Sequence, residues 1–110
     1  ENSVWRRSYT EIIGIKNIST ELPASYSLSQ NYPNPFNPST NLEFGISNLG
    51  LVSLKIYDLL GKEIVTLVNE KLNPGTYRVE FDAGSLTSGV YFYRLTSSDF
   101  TNTKRMLLVK

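Results

Sequence analysis

"TNLEFGISNLGLVSLKIYD", residues 40–58, contains two runs in which apolar side chains recur at every second position. In the first, Leu42, Phe44 and Ile46 alternate with Asn41, Glu43 and Gly45; in the second, Val52, Leu54 and Ile56 alternate with Ser53, Lys55 and Tyr57. A period of two sends successive side chains to opposite faces of a strand, so each run offers one face to a core and one to water. "TYRVEFD", residues 76–82, repeats the pattern with Tyr77, Val79 and Phe81 inward and Arg78, Glu80 and Asp82 outward. "KEIVTLV" (62–68), "GVYFYRLTS" (89–97) and "FTNTKRMLLVK" (100–110) complete six strand patterns, and none of them carries a helical period. Gly61 in "DLLGK" suits the left-handed position that ends a three-residue hairpin loop, and Pro74–Gly75 in "NPGT" suits the centre of a type II turn. Short strands at this spacing read as an all-β fold, an antiparallel β-sandwich of about seven strands.

Upstream of these strands, "NYPNPFNPST" (31–40) places three prolines within six positions. Pro33, Pro35 and Pro38 each fix φ near −65°, remove a backbone donor and bias Tyr32, Asn34 and Asn37 toward extended geometry. A helix is excluded, and a central strand would lose three ladder donors. The expectation is an ordered, extended lead-in, with Phe36 as its anchor. "GTY" at 75–77 and "GVY" at 89–91 recur, each opening a strand after a glycine turn. In the second, "LTSGVY", Gly89 and Tyr91 have the form of a tyrosine corner, in which the phenol bonds back to upstream backbone.

Composition narrows the function classes. In 110 residues, eleven Lys and Arg face ten Asp and Glu, for a formal charge of +1, without the basic excess of a nucleic-acid binder. The 40% hydrophobic and 12% aromatic content suits a globular β domain. The absence of cysteine excludes disulfides and thiolate metal sites, and the absence of histidine removes the usual general base of nucleophilic catalysis. No apolar run approaches the roughly 18 residues of a membrane span. Glu80 and Asp82 share a strand face with Arg78, which a solvated surface explains better than a catalytic pair. Asp99 with Ser97, Ser98 and Asn102 is better read as a hairpin turn than as a calcium site, and the "NIS" sequon at Asn17 is assigned no role. No cofactor or metal is expected.

Residues 1–30 differ in character. "TELPASYSLSQ" (20–30) has linker composition, and Val4 to Arg7 read as the end of a preceding domain. Ile12, Ile13, Ile15 and Ile18 leave two options open, an added strand or packing on the sandwich. The start at Glu1, without a basic-then-apolar leader, reads as a fragment. The expected division is 1–30 for the end of a cargo domain and its linker, and 31–110 for the sandwich. At the other end, Lys104, Arg105 and Lys110 surround "MLLV". They serve either as charges that discourage edge pairing or as a displayed signal.

The succession "SLSQNYPNPFNPST", "KIYDLLGKEIVTLV", "PGTYRVEFDAGSLTSGVYFYRL" and "TKRMLLVK" resembles, over residues 28–110, the type A C-terminal sorting domain of the type IX secretion system of Gram-negative bacteria. The resemblance implies an immunoglobulin-like β-sandwich that directs an N-terminal cargo across the outer membrane, to be secreted or held at the cell surface. It also implies a translocon and a surface sortase as partners, the sortase cutting the signal off. By position it puts the family's proline motif on Pro33, Asn34, Pro35, Phe36 and Pro38, its glycine–aromatic motif on Gly89 and Tyr91, and its terminal motif on Lys104 to Lys110. Gly61 and Gly75 serve as turn residues, and Ser98–Asp99 stands where the family often has glycine. "VWRR" and "EIIGI" resemble the tail of a β-propeller cargo. The competing reading from another class is an immunoglobulin-like spacer or carbohydrate-binding accessory module of a secreted enzyme.

Overall fold

The structure, a computed structural model, describes residues 15–19 and 21–110. The expectations for Val4 to Arg7, Ile12 and Ile13 lie outside the described residues. Eight strands follow one another: β1 (Ile15–Ser19), β2 (Ser27–Leu28), β3 (Ser39–Ile46), β4 (Gly50–Tyr57), β5 (Glu63–Leu72), β6 (Gly75–Asp82), β7 (Gly89–Ser97) and β8 (Phe100–Leu108). They form two four-stranded sheets, ordered β1-β6-β3-β2 and β5-β4-β7-β8, with antiparallel pairing throughout. The all-β sandwich expected from the alternation is the fold observed. The strand count exceeds seven because β1 and β2 add one strand at each edge of the first sheet.

The core lies between the sheets. Leu42, Phe44, Ile46, Val79 and Phe81 of the first sheet face Val52, Leu54, Ile56, Tyr93, Leu95, Met106 and Leu108 of the second, all buried. β5 departs from strict alternation. Its pairing with β4 shifts between Leu54 and Lys55, where Val68 and then Thr66 are the partners, so Leu67 is the extra residue of a bulge. Leu67 and Val68 are consequently both buried although adjacent in sequence.

The turns show how far local chemistry was legible. Leu59, Leu60 and Gly61 form a three-residue loop, with Gly61 at φ 90°. Asp58 holds the loop, its carboxylate accepting from the N–H groups of Leu60 and Lys62 at 3.0 and 2.9 Å. Pro74–Gly75 does not form the expected type II turn. Gly75 sits at φ 155°, far from the roughly +80° that such a turn requires, and it opens β6 as the chain crosses between sheets. At the last hairpin, Ser98 occupies the left-handed region, φ 55°. That conformation costs an L-residue about 1–2 kcal/mol, against about 0.5–1 kcal/mol of extra unfolded-chain entropy for glycine. Ser98→Gly is therefore expected to stabilise the domain by about 0.5–1 kcal/mol, read as a higher urea midpoint at unchanged slope. A lower midpoint would contradict the assignment of strain to Ser98.

Candidate functional site

The proline segment is ordered, as expected, but it bends instead of running straight. Its Tyr32–Pro33, Asn34–Pro35 and Asn37–Pro38 bonds are all cis. Backbone hydrogen bonds fix it at two points. Tyr32 exchanges N–H···O bonds with Asn41 at 3.1 and 2.9 Å, fastening the segment to the start of β3. Phe36 donates to the Leu107 carbonyl and accepts from the Val109 N–H, both at 3.0 Å, a parallel bridge along the free edge of β8. The Asn34 side chain accepts from the Leu107 N–H at 3.0 Å, and Gln30 donates to the Arg105 carbonyl at 2.7 Å. The Phe36 ring enters the core at 2% exposure, its centroid 6.3 Å from that of Phe81. The lead-in thus occupies backbone positions at Arg105, Leu107 and Val109 that an edge strand would otherwise offer to another chain.

A buried polar cluster that the sequence reading missed supports this clasp. Asn31 is 2% exposed. Its side-chain amide donates to the Pro33 carbonyl at 3.1 Å and to the Thr40 hydroxyl at 3.0 Å, and Thr40 in turn donates to Pro33 O at 2.8 Å. Tyr93, fully buried on β7, places its hydroxyl at the entry to the proline segment, bonded to the backbone on either side of Gln30. It donates to Ser29 O at 2.7 Å and accepts from the Asn31 N–H at 2.8 Å. Burial pushes the Tyr93 phenol up to about 12.

Both glycine–tyrosine repeats are corners. Tyr91 donates to Thr87 O at 2.7 Å, as its motif foretold, and Tyr77 donates to Asn73 O at 2.6 Å in the same way. Gly89 and Gly75 share φ 155°, and each corner stands where the chain changes sheets. The signal for the second corner was present. "LNPGTY" and "LTSGVY" share leucine, glycine and tyrosine at matching positions, and Leu72 and Leu86 both pack against the core.

The residues of the C-terminal motif do not form one patch. On β8, Lys104 has the inward parity of Met106 and Leu108, whereas Arg105 points to the outer face with Leu107. Asn34, Pro35, Arg105 and Leu107, together with Val90 and Met106, line an open cleft of about 330 Å³. Lys110 is tied down: its ammonium donates to Gly84 O and Leu86 O at 2.7 and 2.8 Å, and its N–H donates to the Ser88 hydroxyl at 2.9 Å. Asp99 sits in the β7–β8 turn. On the outer face of the first sheet, Arg78 pairs with Glu43 at 2.9 Å. Among the described residues, no group of three or more His, Cys, Asp and Glu could hold a metal ion, and no helix is long and apolar enough to cross a membrane.

A lead-in clasped to the last strand over residues 30–110 coincides with one family. The profile of the secretion system C-terminal sorting domain matches residues 30–110. The chain belongs to that family. It is a type IX secretion C-terminal sorting domain, a signal that acts in cis with a cargo for export across the outer membrane, to the cell surface or beyond. No curated protein matches the sequence. β1 and β2 lie outside the matched span, so the folded unit extends N-terminally beyond the family domain.

Proposed function

We propose that the sorting domain is a non-catalytic signal read by the translocon at the cleft between the lead-in and β8. A surface sortase then cuts it from the cargo and attaches the cargo to the cell surface. The observation that carries this reading is that Asn34 and Pro35 meet Arg105 and Leu107, some 70 residues later in sequence, in a single cleft. Such a site exists only when the domain is folded, so a receptor that reads it also checks folding. Arg105 is the residue with a charge to offer there. Lys104, on the opposite face of β8, contributes from the sheet edge, and Lys110 positions the loop at 84–88. Gly89 and Tyr91 contribute by fixing the start of β7, next to Val90 in the cleft wall. Within residues 14–30, the stretch best suited to the cut is 21–26. It joins β1 to β2 without strand pairing and exposes Leu22 by 71%.

The carbohydrate-binding alternative needs an open aromatic platform. Tyr32 is 78% exposed beside the lead-in; on the outer face of the second sheet Tyr57 stands opposite Phe92, both half-buried, and Arg94 lies over the Tyr57 ring at 5.0 Å. That guanidinium covers one face of the Tyr57 ring, leaving less of it for a sugar to stack on.

The test fuses residues 1–110 to a periplasmically targeted reporter in a host with this secretion system. Surface and periplasmic reporter are compared for the native domain, Arg105→Glu and Lys104→Glu, each checked by thermal melt. Arg105→Glu, on the exposed face, should alter stability by less than about 0.5 kcal/mol, whereas Lys104 is half-buried and the melt corrects its export for any loss of fold. Arg105→Glu should cut surface reporter at least tenfold, and Lys104→Glu should cut it less. Normal export of a folded Arg105→Glu domain would eliminate the cleft as the recognition site. Retention of the native fusion in the periplasm would show that residues 1–110 do not suffice as the signal.

A further inference from the structure

β1 lies beyond the family span, yet the edge it covers is shaped to receive it. Ile15, Lys16, Asn17 and Ser19 pair with Val79, Arg78, Tyr77 and Thr76 of β6. At the end of this ladder, a Cβ on Gly75 would stand 2.7 Å from both the Asn17 side-chain nitrogen and the Ser19 carbonyl. The missing side chain is therefore the space that the incoming strand uses. Asn17 fills it, donating to Ser19 O at 3.1 Å and to Thr76 O at 3.4 Å. At the other end, Ile15 is buried against the core at 7% exposure, whereas Ile18 remains 39% exposed. The strand is thus held by backbone pairing, one buried side chain and one asparagine seated over a glycine. A connector without strand pairing, residues 21–26, is its link to the rest of the sandwich.

We infer that the β6 edge is a strand-acceptor site, occupied in the uncut chain by Ile15–Ser19 and able to take that same segment in trans once the connector is cut. The inference deepens the proposed function, because a cut at 21–26 leaves β1 on the cargo side. Cutting and release are then separate steps: the cargo tail stays on the β6 edge until the strand peels away. Five residues with one buried side chain gain little beyond the entropy lost on ordering them. Binding in trans is therefore on the order of millimolar, weak enough for dilution to complete release. The ligand chemistry is an extended peptide with an aliphatic residue at the position of Ile15 and asparagine at that of Asn17.

The experiment places a site for a sequence-specific protease between Glu21 and Tyr26 of the full chain, cuts it, and separates the fragments by dilution and size exclusion. A synthetic peptide spanning residues 13–21 is then titrated into the large fragment. Amide exchange of Arg78, whose N–H faces β1 where that of Val79 faces β3, and NMR shifts along β6 are followed, with a melt as the fold control. The fragments should coelute when concentrated and part at micromolar concentration. The peptide should restore β6 protection, and an Asn17→Ala peptide should bind at least fivefold more weakly. Gly75→Ala should abolish binding; should it impair folding, the Asn17→Ala comparison decides alone. Failure of the native peptide to shift β6 at several millimolar, equal binding of the Asn17→Ala peptide, or unfolding of the separated fragment would each overturn the inference. The cut is engineered, so a natural cargo terminus found elsewhere bears on the processing site and leaves the acceptor edge standing.

Discussion

Phe36→Ala is expected to lower the unfolding free energy by about 3–5 kcal/mol, the range for deleting a large aromatic side chain from a packed core. For a domain of this size that corresponds to a melting temperature lower by roughly 15–30 °C. The ring is 2% exposed, so nearly its whole surface is withdrawn from water. The cavity cannot readily collapse, because Phe36 stands in a segment whose backbone is already fixed to Leu107 and Val109 on one side and, through Tyr32, to Asn41 on the other. Tyr32→Ala is the internal control. That ring is four residues away and 78% exposed, and its loss should change stability by less than about 0.5 kcal/mol. Thermal or urea melts of the two variants separate a segment that is a structural part of the sandwich from one that merely precedes it. Equal, small effects would mean that the clasp contributes nothing to the fold.

The contrast between these two aromatics illustrates what the sequence made legible. Alternation in β3, β4 and β6 was readable because each strand has one face on the core and one toward water, and Leu42, Val52 and Val79 obey it. The anchoring role of Phe36 followed from its being the large apolar side chain closest to the prolines. β1 was readable only as one of two options, an added strand or packing on the sandwich, and Ile15–Ser19 takes the first. "IKNIS" buries Ile15 alone, and its pairing depends on a gap at Gly75, sixty residues away. Asn31 and Thr40 carry no signal of burial in the sequence, since nothing local distinguishes an asparagine whose partners are buried from one in water. The opposite orientation of Lys104 and Arg105 follows from period two alone, which net charge over 104–110 does not reveal. The turn at Pro74–Gly75 failed for a different reason. Proline followed by glycine favours a type II turn locally, whereas here the pair carries the chain from one sheet to the other, and the Tyr77 corner sets the geometry.

Tyr93→Phe carries the second large effect, and pH gives it a signature that a packing defect would lack. The substitution keeps the ring and removes one oxygen, leaving without their partner the N–H of buried Asn31 and the carbonyl of exposed Ser29. Stranding two such groups costs about 1–3 kcal/mol each where water cannot reach them. Partial rehydration at Ser29 brings the expected loss at neutral pH to about 2–4 kcal/mol. The native phenol sits at about 12, above its ordinary 10, because burial disfavours the phenolate. A group whose folded pKa is raised contributes its full stability below the unfolded value and loses it as pH climbs through the folded one. After a discount for solvent screening, the native domain should therefore forfeit about 1–2 kcal/mol of this contribution between pH 10 and 12. The Phe variant has no such proton to lose, and the gap between the two proteins should narrow over that window. Tyr77, also raised chiefly by burial, titrates in both proteins and cancels from the difference. Urea unfolding at pH 7, 10 and 12 reads the gap directly. A gap that stays constant across the three would show that the hydroxyl's worth lies in filling space, and the hydrogen-bonded link from β7 to the lead-in would lose its place in the account of how the signal is held together.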